Sequence, residues 1–147
     1  MIITDEALLR VKCIDVLPEE VEHLKKKLEE ELNLSAELGR PGIGLACPQI
    51  GVAKNMAIVR IPGVMSVDID LVNCKIAEGH DKADFDGEGC LSFPGLTMTT
   101  SRYKEIKVIG NLVEPQEFIA TGLLAVCIQH ELDHLNGVLL PDLAINK

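Results

Sequence analysis

The stretch QHELDHLNG, residues 129–137, contains two histidines and a glutamate in the order H-E-x-x-H. If the stretch is helical, His130 and His134 lie four residues apart on one face, where both imidazoles can reach one metal ion. Glu131 then lies about 100° around the helix from His130. Its carboxylate is placed beside the metal, where it can take a proton from a water on the metal. The alternative is a solvated polar helix face on which the pattern occurs by chance.

A catalytic metal site usually takes three protein ligands, and this stretch supplies two. No histidine or glutamate follows His134, so the third ligand comes from upstream or is Asp142, the single acid near the end of the chain. Cys90 is the best candidate, because the adjacent Gly89 lets the backbone approach closely and thiolate is a strong ligand for zinc or iron. The alternative for Cys90 is a buried free thiol. His80 stands among acidic residues, and we interpret it as a solvated loop histidine in preference to a ligand.

The residues around the motif predict a buried helix over about residues 122–136. Residues 123–128, LLAVCI, are apolar on all sides, as in a helix that runs through a core. Thr121 suits the N-cap position and Gly137 suits the position after the last turn. Polar groups on a buried helix need partners, and a metal is the simplest way to supply them.

The rest of the chain predicts one early helix and several short strands. Pro18 suits the first turn of an amphipathic helix with Val21, Leu24, Leu28 and Leu32 on its apolar stripe. Residues 39–51 form a glycine-rich loop without a phosphate-binding pattern. Residues 77–89 are polar and are predicted to be a loop. Strands are predicted over Met56–Ile61 and residues 67–76, 96–100, 106–112 and 117–121.

Short turns between the strands predict mainly antiparallel sheets. We therefore expect a single α+β domain over residues 1–147, in which short antiparallel sheets pack around the buried late helix. The length of 147 residues suits one domain with a substantial core.

Composition excludes several classes of protein. Hydrophobic residues make up 47% of the chain, but no apolar run approaches 18 residues, so a membrane-spanning helix is not expected. The net charge of −9 disfavours nucleic-acid binding, since the one basic run, Lys25–Lys27, lies in a helix of mixed charge. The start of the chain lacks an export signal, so a cytoplasmic location is expected. Five scattered cysteines indicate reduced thiols more than a disulfide framework.

Three stretches together are more specific than H-E-x-x-H alone. GIGLACPQ (residues 42–49), EGCLS (residues 88–92) and QHELDHLNG resemble, in order and spacing, the three motifs of the peptide deformylases. The resemblance implies hydrolysis of the N-terminal formyl group of formyl-methionyl peptides, with release of formate. It also implies one divalent metal ion held by Cys90, His130 and His134. Fe²⁺ is the expected native ion, and Zn²⁺, Ni²⁺ or Co²⁺ are expected in purified protein.

The same resemblance implies roles for residues around the metal. Glu131 acts as general base towards the attacking water and then as acid towards the leaving amine. The metal, the backbone N–H of Leu91 and the side-chain amide of Gln49 stabilise the oxyanion. Gly44 lets the substrate backbone lie close. The methionine pocket maps onto apolar residues that also suit a plain core: Ile43, Leu123, Val126 and Cys127.

Three further side chains are hypothesised to support the metal ligands. Glu88 and Arg102 are proposed to form a pair that steadies the EGCLS strand, and the alternative is a weak surface ion pair. Asp133 is proposed to support a ligand histidine, although the sequence does not identify which one.

The chain departs from the family pattern in places. Cys47 stands where the family usually has alanine, and a thiol is small enough to fit. The chain stops about ten residues after the motif, which resembles the short members that lack a C-terminal helix, some of them encoded by bacteriophages. Ribosome docking through that helix is therefore left open, and we expect a monomer. Two alternatives stay open: a zinc peptidase or amidase of different specificity, and a metal-stabilised binding module without turnover.

Overall fold

The structure is a computed structural model that describes residues 1–64, 66–111 and 115–143. Within these ranges the chain forms three α-helices and six strands, which confirms the predicted α+β class. Short 3-10 turns cover Pro18–Glu20, Cys47–Ile50 and Leu140–Leu143. The helices and strands are α1 (Glu6–Leu9), α2 (Val21–Glu37), β1 (Gly44–Ala46), β2 (Met56–Ile61), β3 (Val67–Val72), β4 (Cys74–Cys90), β5 (Phe93–Asn111), β6 (Pro115–Thr121) and α3 (Gly122–Leu135).

The strands form two antiparallel sheets of three strands each. The first sheet has the order β1-β2-β3, with Leu45 opposite Ile58. The second has the order β4-β5-β6 and is dominated by the long hairpin of β4 and β5. The predicted antiparallel arrangement is confirmed.

The loop predicted over residues 77–89 is wrong, because this segment belongs to β4. Most of its charged residues face solvent. Lys82, Asp84 and Asp86 are exposed, whereas Ala83 and Phe85, which alternate with them, are partly buried. A high content of charge therefore marked a solvated sheet face and not a break in the strand.

Two other strand boundaries also differ from the prediction. The strands predicted over residues 96–100 and 106–112 are parts of the single strand β5, although Leu112 lies outside the described residues. The strand predicted over residues 67–76 is split at Asn73, whose φ is +52°. Asparagine adopts this left-handed conformation more readily than most residues. Its side-chain amide bonds both backbone polar groups of Val16, at 2.8 and 3.0 Å, which holds the break in place.

Helix α2 is amphipathic, as predicted. Leu24, Leu28 and Leu32 are buried in one stripe and belong to a cluster with Leu45 and Ile58 of the first sheet. The helix therefore covers the outer face of that sheet.

Helix α3 lies between the two sheets, in agreement with the prediction of a buried late helix. Ala125, Ile128 and Leu132 share one core cluster with Val59 of β2 and Val108 of β5. The helix begins at Gly122 after the N-cap residue Thr121, although the Thr121 side chain makes no capping hydrogen bond. The turn after the helix contains Gly137 with φ of +73°, as expected for a residue that ends a helix. No helix within the described ranges has both the length and the apolar character needed to cross a bilayer.

Candidate metal centre and its pocket

Three potential metal ligands meet where β4 ends beside α3. Ligand atoms of Cys90, His130 and His134 all lie within 4.8 Å of one another. The Cys90 Sγ is 3.3 Å from the His134 Nε2, and the two imidazole centroids are 5.0 Å apart. The H-E-x-x-H spacing thus places both rings on one face of α3, and the hairpin brings the thiol to them. The structure brings Cys90 and not Asp142 to the histidines, because Asp142 is bonded to Arg10 at the surface.

A β-bulge aims Cys90 at the cluster. The pairing of β4 with β5 shifts register between Phe85 and Glu88, where Gly87 has φ of +77°. In an unbroken strand alternate side chains face opposite sides of the sheet, so Phe85 and Glu88 would point away from each other. The extra residue of the bulge turns Glu88 inward together with Cys90. A left-handed glycine suits this type of bulge.

Glu88 fixes the orientation of His130. Its Oε2 lies 2.8 Å from the His130 Nδ1, which leaves the Nε2 facing Cys90. Burial alone would lower the pKa of His130, but interactions with Cys90, Glu131 and Glu88 outweigh burial and raise it. A histidine held this way presents one defined ring nitrogen, as imidazole ligands of metals usually do.

His134 is fully buried, and burial lowers its pKa to about 3, which keeps the imidazole neutral. Its Nδ1 has no hydrogen-bond partner among the described residues. A neutral imidazole is the form that binds metals. The set of one thiol and two imidazoles, partly or wholly buried together, fits a divalent transition metal such as zinc or iron.

Arg102 joins this site to a buried ion network. It donates to Glu88 through Nε and Nη2 and to Asp133 through Nη1. Burial alone would raise the pKa of Glu88, but hydrogen bonds from Arg102 and His130 lower it to about 2. The alternative of a surface ion pair is therefore wrong, since both side chains are almost inaccessible. Asp133 was hypothesised to support a ligand histidine, but its hydrogen bond is to Arg102, and Glu88 is the carboxylate that contacts His130.

Glu131 is the second carboxylate beside the histidines. It is 4% exposed, and its Oε1 has no partner within the described part of the chain. Burial raises the pKa of Glu131 to about 7. A Cβ added at Gly44 would lie 2.4 Å from its Oε2. Gly44 therefore makes room for this carboxylate, a reason for glycine that the sequence did not reveal.

Gln49 presents its amide to the same place. Its Oε1 accepts from the backbone N–H of Ala46 at 3.0 Å, so its Nε2 must face the other way. There the Nε2 donates to the Ser92 Oγ at 3.0 Å and lies 3.7 Å from the Cys90 Sγ. The backbone bond thus fixes which end of the amide can donate.

These groups border a cavity of about 510 Å³. Glu131, Gln49 and Leu91 line it together with apolar and polar neighbours. Leu123 is 48% exposed, so it lies at the cavity mouth and not in the core. His80 is exposed on β4 and pairs with Glu78, far from this site's ligand cluster. All residues predicted to bind substrate line the cavity: Ile43, Gly44, Leu123, Val126 and Cys127.

Sequence reasoning missed one apolar wall of the cavity. Phe85, Phe93 and Leu96 line it from the β4–β5 hairpin. Phe85 stands in the polar segment that was predicted to be a loop, and in a loop its apolar side chain had no interpretation. Leu96 was predicted to lie in a strand, but the sequence did not show which side of the strand faces the cavity.

Comparison with known proteins gives a consistent result. Residues 1–147 match the family model for polypeptide deformylase. The chain is 39% identical over 140 residues to the peptide deformylase of Prochlorococcus marinus (strain SARG), a match that covers 92% of this chain and 66% of that protein. The match thus spans just under two thirds of that relative's length.

Solved structures agree over more of their length. A crystal structure of peptide deformylase from Thermotoga maritima has 32% sequence identity and a TM-score of 0.82, covering 99% of this chain and 97% of that one. A crystal structure of a probable peptide deformylase from Synechococcus phage S-SSM7 has 34% identity and a TM-score of 0.84, covering 97% and 98%.

Proposed function

This chain belongs to the polypeptide deformylase family, and from that premise we propose that it hydrolyses the formyl group from the N-terminus of formyl-methionyl peptides, releasing formate. The observation that carries the proposal is a buried carboxylate, Glu131, beside a cluster of one thiol and two imidazoles on the wall of an open cavity. Hydrolysis of an amide needs a base, an electrophilic aid to the carbonyl and an anchor for the substrate. All three are supplied by residues of this cavity.

We assign the metal to Cys90, His130 and His134. When bound, a divalent metal supplies Lewis acidity that acidifies water and polarises the formyl oxygen. Thiolate and imidazole suit both iron and zinc. Following the family resemblance, we propose Fe²⁺ as the native ion with zinc as a substitute. Glu88 supports the assignment by holding His130 in one tautomer.

Glu131 is the proposed general base. A pKa of about 7 lets its carboxylate accept a proton from the attacking water and return it to the leaving amine near neutral pH. The positive charge of a bound metal ion would favour the ionised carboxylate of Glu131 further. Its free Oε1 leaves an acceptor available for that proton.

Gln49 and Leu91 are the proposed donors to the oxyanion that forms as the carbonyl is attacked. The amide of Gln49 is held with its Nε2 towards Cys90, and Leu91 follows Cys90 directly in the chain. Donors fixed before the reaction stabilise developing charge without further reorganisation. The apolar residues at the cavity, including Val126 and Cys127, suit the thioether side chain of methionine.

The direct test is release of formate from formyl-Met-Ala-Ser by protein purified without oxygen, with bound metal measured on the same sample. We expect hydrolysis of this peptide and none of acetyl-Met-Ala-Ser. Cleavage of an internal peptide bond at a comparable rate would favour a peptidase and contradict the proposal. A cytoplasmic site of action, where formylated chains are made, is part of the proposal.

Two variants assign the roles. Glu131→Gln is expected to retain the metal and lose at least about 100-fold in kcat, because it removes the base but keeps the shape. Cys90→Ala is expected to lose most of its metal. Cys74→Ala, a half-buried cysteine outside the cluster, is the matched control and should keep it. Full metal occupancy in Cys90→Ala would remove Cys90 from the ligand set.

A further inference from the structure

We infer that Arg40 is a positioning residue, which holds the backbone of the proposed oxyanion donor Leu91 from the edge of the cavity. The inference rests on the proposed function, since Leu91 matters to the rate only if its N–H stabilises the reacting carbonyl. Arg40 lines the cavity, and its Nη2 donates to the Leu91 carbonyl oxygen at 2.7 Å.

The end of α2 fixes the backbone of Arg40. The turn that follows the helix contains Gly39, whose backbone is left-handed with φ of +84°. The N–H of Gly39 bonds the Ala36 carbonyl at 3.0 Å, and the N–H of Arg40 bonds the Ser35 carbonyl at 2.8 Å. This pair of bonds is the Schellman pattern of a helix end. The buried Ser35 hydroxyl also donates to the Arg40 carbonyl at 2.6 Å, so both backbone polar groups of Arg40 are tied to one helical residue.

Leu91 is held by the loop that follows. A Cβ added at Gly42 would lie 2.6 Å from the Leu91 Cδ1, so the loop packs directly against the Leu91 side chain. The guanidinium of Arg40 holds the carbonyl of the same residue. A hydrogen bond from a charged donor is stronger than one between neutral groups. Side chain and backbone of Leu91 are thus both fixed by the segment after α2.

The neighbours of Leu91 are held by other parts of the fold. Cys90 faces His134 on α3, and the Ser92 hydroxyl accepts from Gln49 in the 3-10 turn after β1. Three consecutive residues therefore have three separate attachments. Without the bond from Arg40, the peptide plane after Leu91 loses one of its restraints. That plane is joined to the Leu91 N–H through the φ and ψ rotations of Leu91, so the direction of the N–H becomes less defined. A donor that acts mainly in the transition state affects kcat more than KM.

The test compares wild type with Arg40→Ala, Arg40→Lys and the control Lys26→Ala in the formyl-Met-Ala-Ser assay. Lys26 is an exposed cation on α2. Removing an oxyanion donor outright costs about 100- to 1,000-fold, so we expect misplacing one to lower kcat about tenfold in Arg40→Ala, with KM changed less than twofold. Lysine keeps one charged donor and should restore most of the rate. Lys26→Ala should match wild type.

Rates are expressed per bound metal, so that loss of metal is not counted as loss of positioning. A normal kcat in Arg40→Ala, or a raised KM with normal kcat, would overturn the inference, and the second result would make Arg40 a substrate-binding residue. Ser35→Ala serves as a milder variant should Arg40→Ala not fold, and about a threefold fall in kcat is expected. Wild-type formate release tests the proposed function separately, since the ratio of variant to wild type is defined only if wild type is active.

Discussion

Two arginine–carboxylate pairs join distant parts of this chain, and they differ chiefly in burial. Arg102 donates two hydrogen bonds to Glu88 in the interior, where the side chains are 6% and 5% exposed. Arg10 also donates two hydrogen bonds to Asp142, but at the surface, where these side chains are 42% and 36% exposed. Each carboxylate accepts two hydrogen bonds, from Nε and Nη2 of Arg102 and from Nη1 and Nη2 of Arg10, so burial is the larger difference between the pairs.

The interior pair is part of the site, and the surface pair is not. Glu88 also accepts from Thr100 and contacts His130, and Arg102 also holds Asp133. If either partner is removed, the other is left as a buried charge that water cannot reach. At the surface, water replaces a lost partner at little cost. The same type of ion pair therefore supports the metal centre where it is buried and stabilises the fold only modestly where it is exposed.

The largest expected difference is in stability. Arg102→Ala should lower the free energy of unfolding by about 3–5 kcal/mol, because Glu88 and Asp133 lose their buried counter-charge. Arg10→Ala should lower it far less. Urea unfolding of both variants after chelator treatment, which removes any contribution from bound metal, gives the comparison. Equal losses for the two variants would mean that burial does not separate the pairs.

The next difference concerns the proposed metal. Glu88→Gln removes the negative charge that faces His130, and we expect metal affinity to fall about 10- to 100-fold. Asp142→Asn is the matched surface control and should leave affinity unchanged. Competition with a chromogenic chelator measures both. Unchanged affinity in Glu88→Gln would assign Glu88 to folding alone.

The smallest expected effect is the pH dependence of the surface pair. The hydrogen bond from Arg10, with help from the Leu139 N–H, lowers the pKa of Asp142 to about 2 from an ordinary 3.8. A carboxyl whose pKa is lower when folded contributes stability above its ordinary pKa and loses that contribution as the pH falls to the folded value. The difference in unfolding free energy between wild type and Asp142→Asn should therefore be constant above about pH 5 and shrink between about pH 4 and 2. A difference that grows towards low pH would contradict the sign.

The sequence predicted the elements that carry periodic apolar residues. The stripe of α2 and the apolar run of α3 each specify a helix from neighbours three or four positions apart, and both helices lie where the pattern placed them. The spacing of His130 and His134 determines that their rings share a face, because helix geometry is local. The residues expected to face the substrate also line one cavity, which followed from the family resemblance and not from periodicity.

The hairpin of β4 and β5 could not be predicted in the same way. Strand pairing is decided by contacts between residues far apart in sequence, and the polar run in β4 resembles a loop when its partner strand is unknown. The bulge near Gly87 changes which face Glu88 occupies, and a single extra residue reverses every such assignment. For that reason the sequence left open whether the pair of Glu88 and Arg102 is buried or at the surface, and it assigned no partner to Asp133.

The sequence by itself thus determined the family motifs, the two main helices and the identity of the chemical groups, because these depend on residue type and local spacing. That Cys90 lies near His130 and His134 was expected from the sequence. Only the tertiary structure decided that Glu88 rather than Asp133 orients His130, and that Arg40 reaches Leu91. The contacts of Arg40 with Leu91, of Cys90 with His134 and of Glu88 with His130 join residues 51, 44 and 42 positions apart. Their energies depend on burial, and burial is a property of the packed molecule and not of any segment of its sequence.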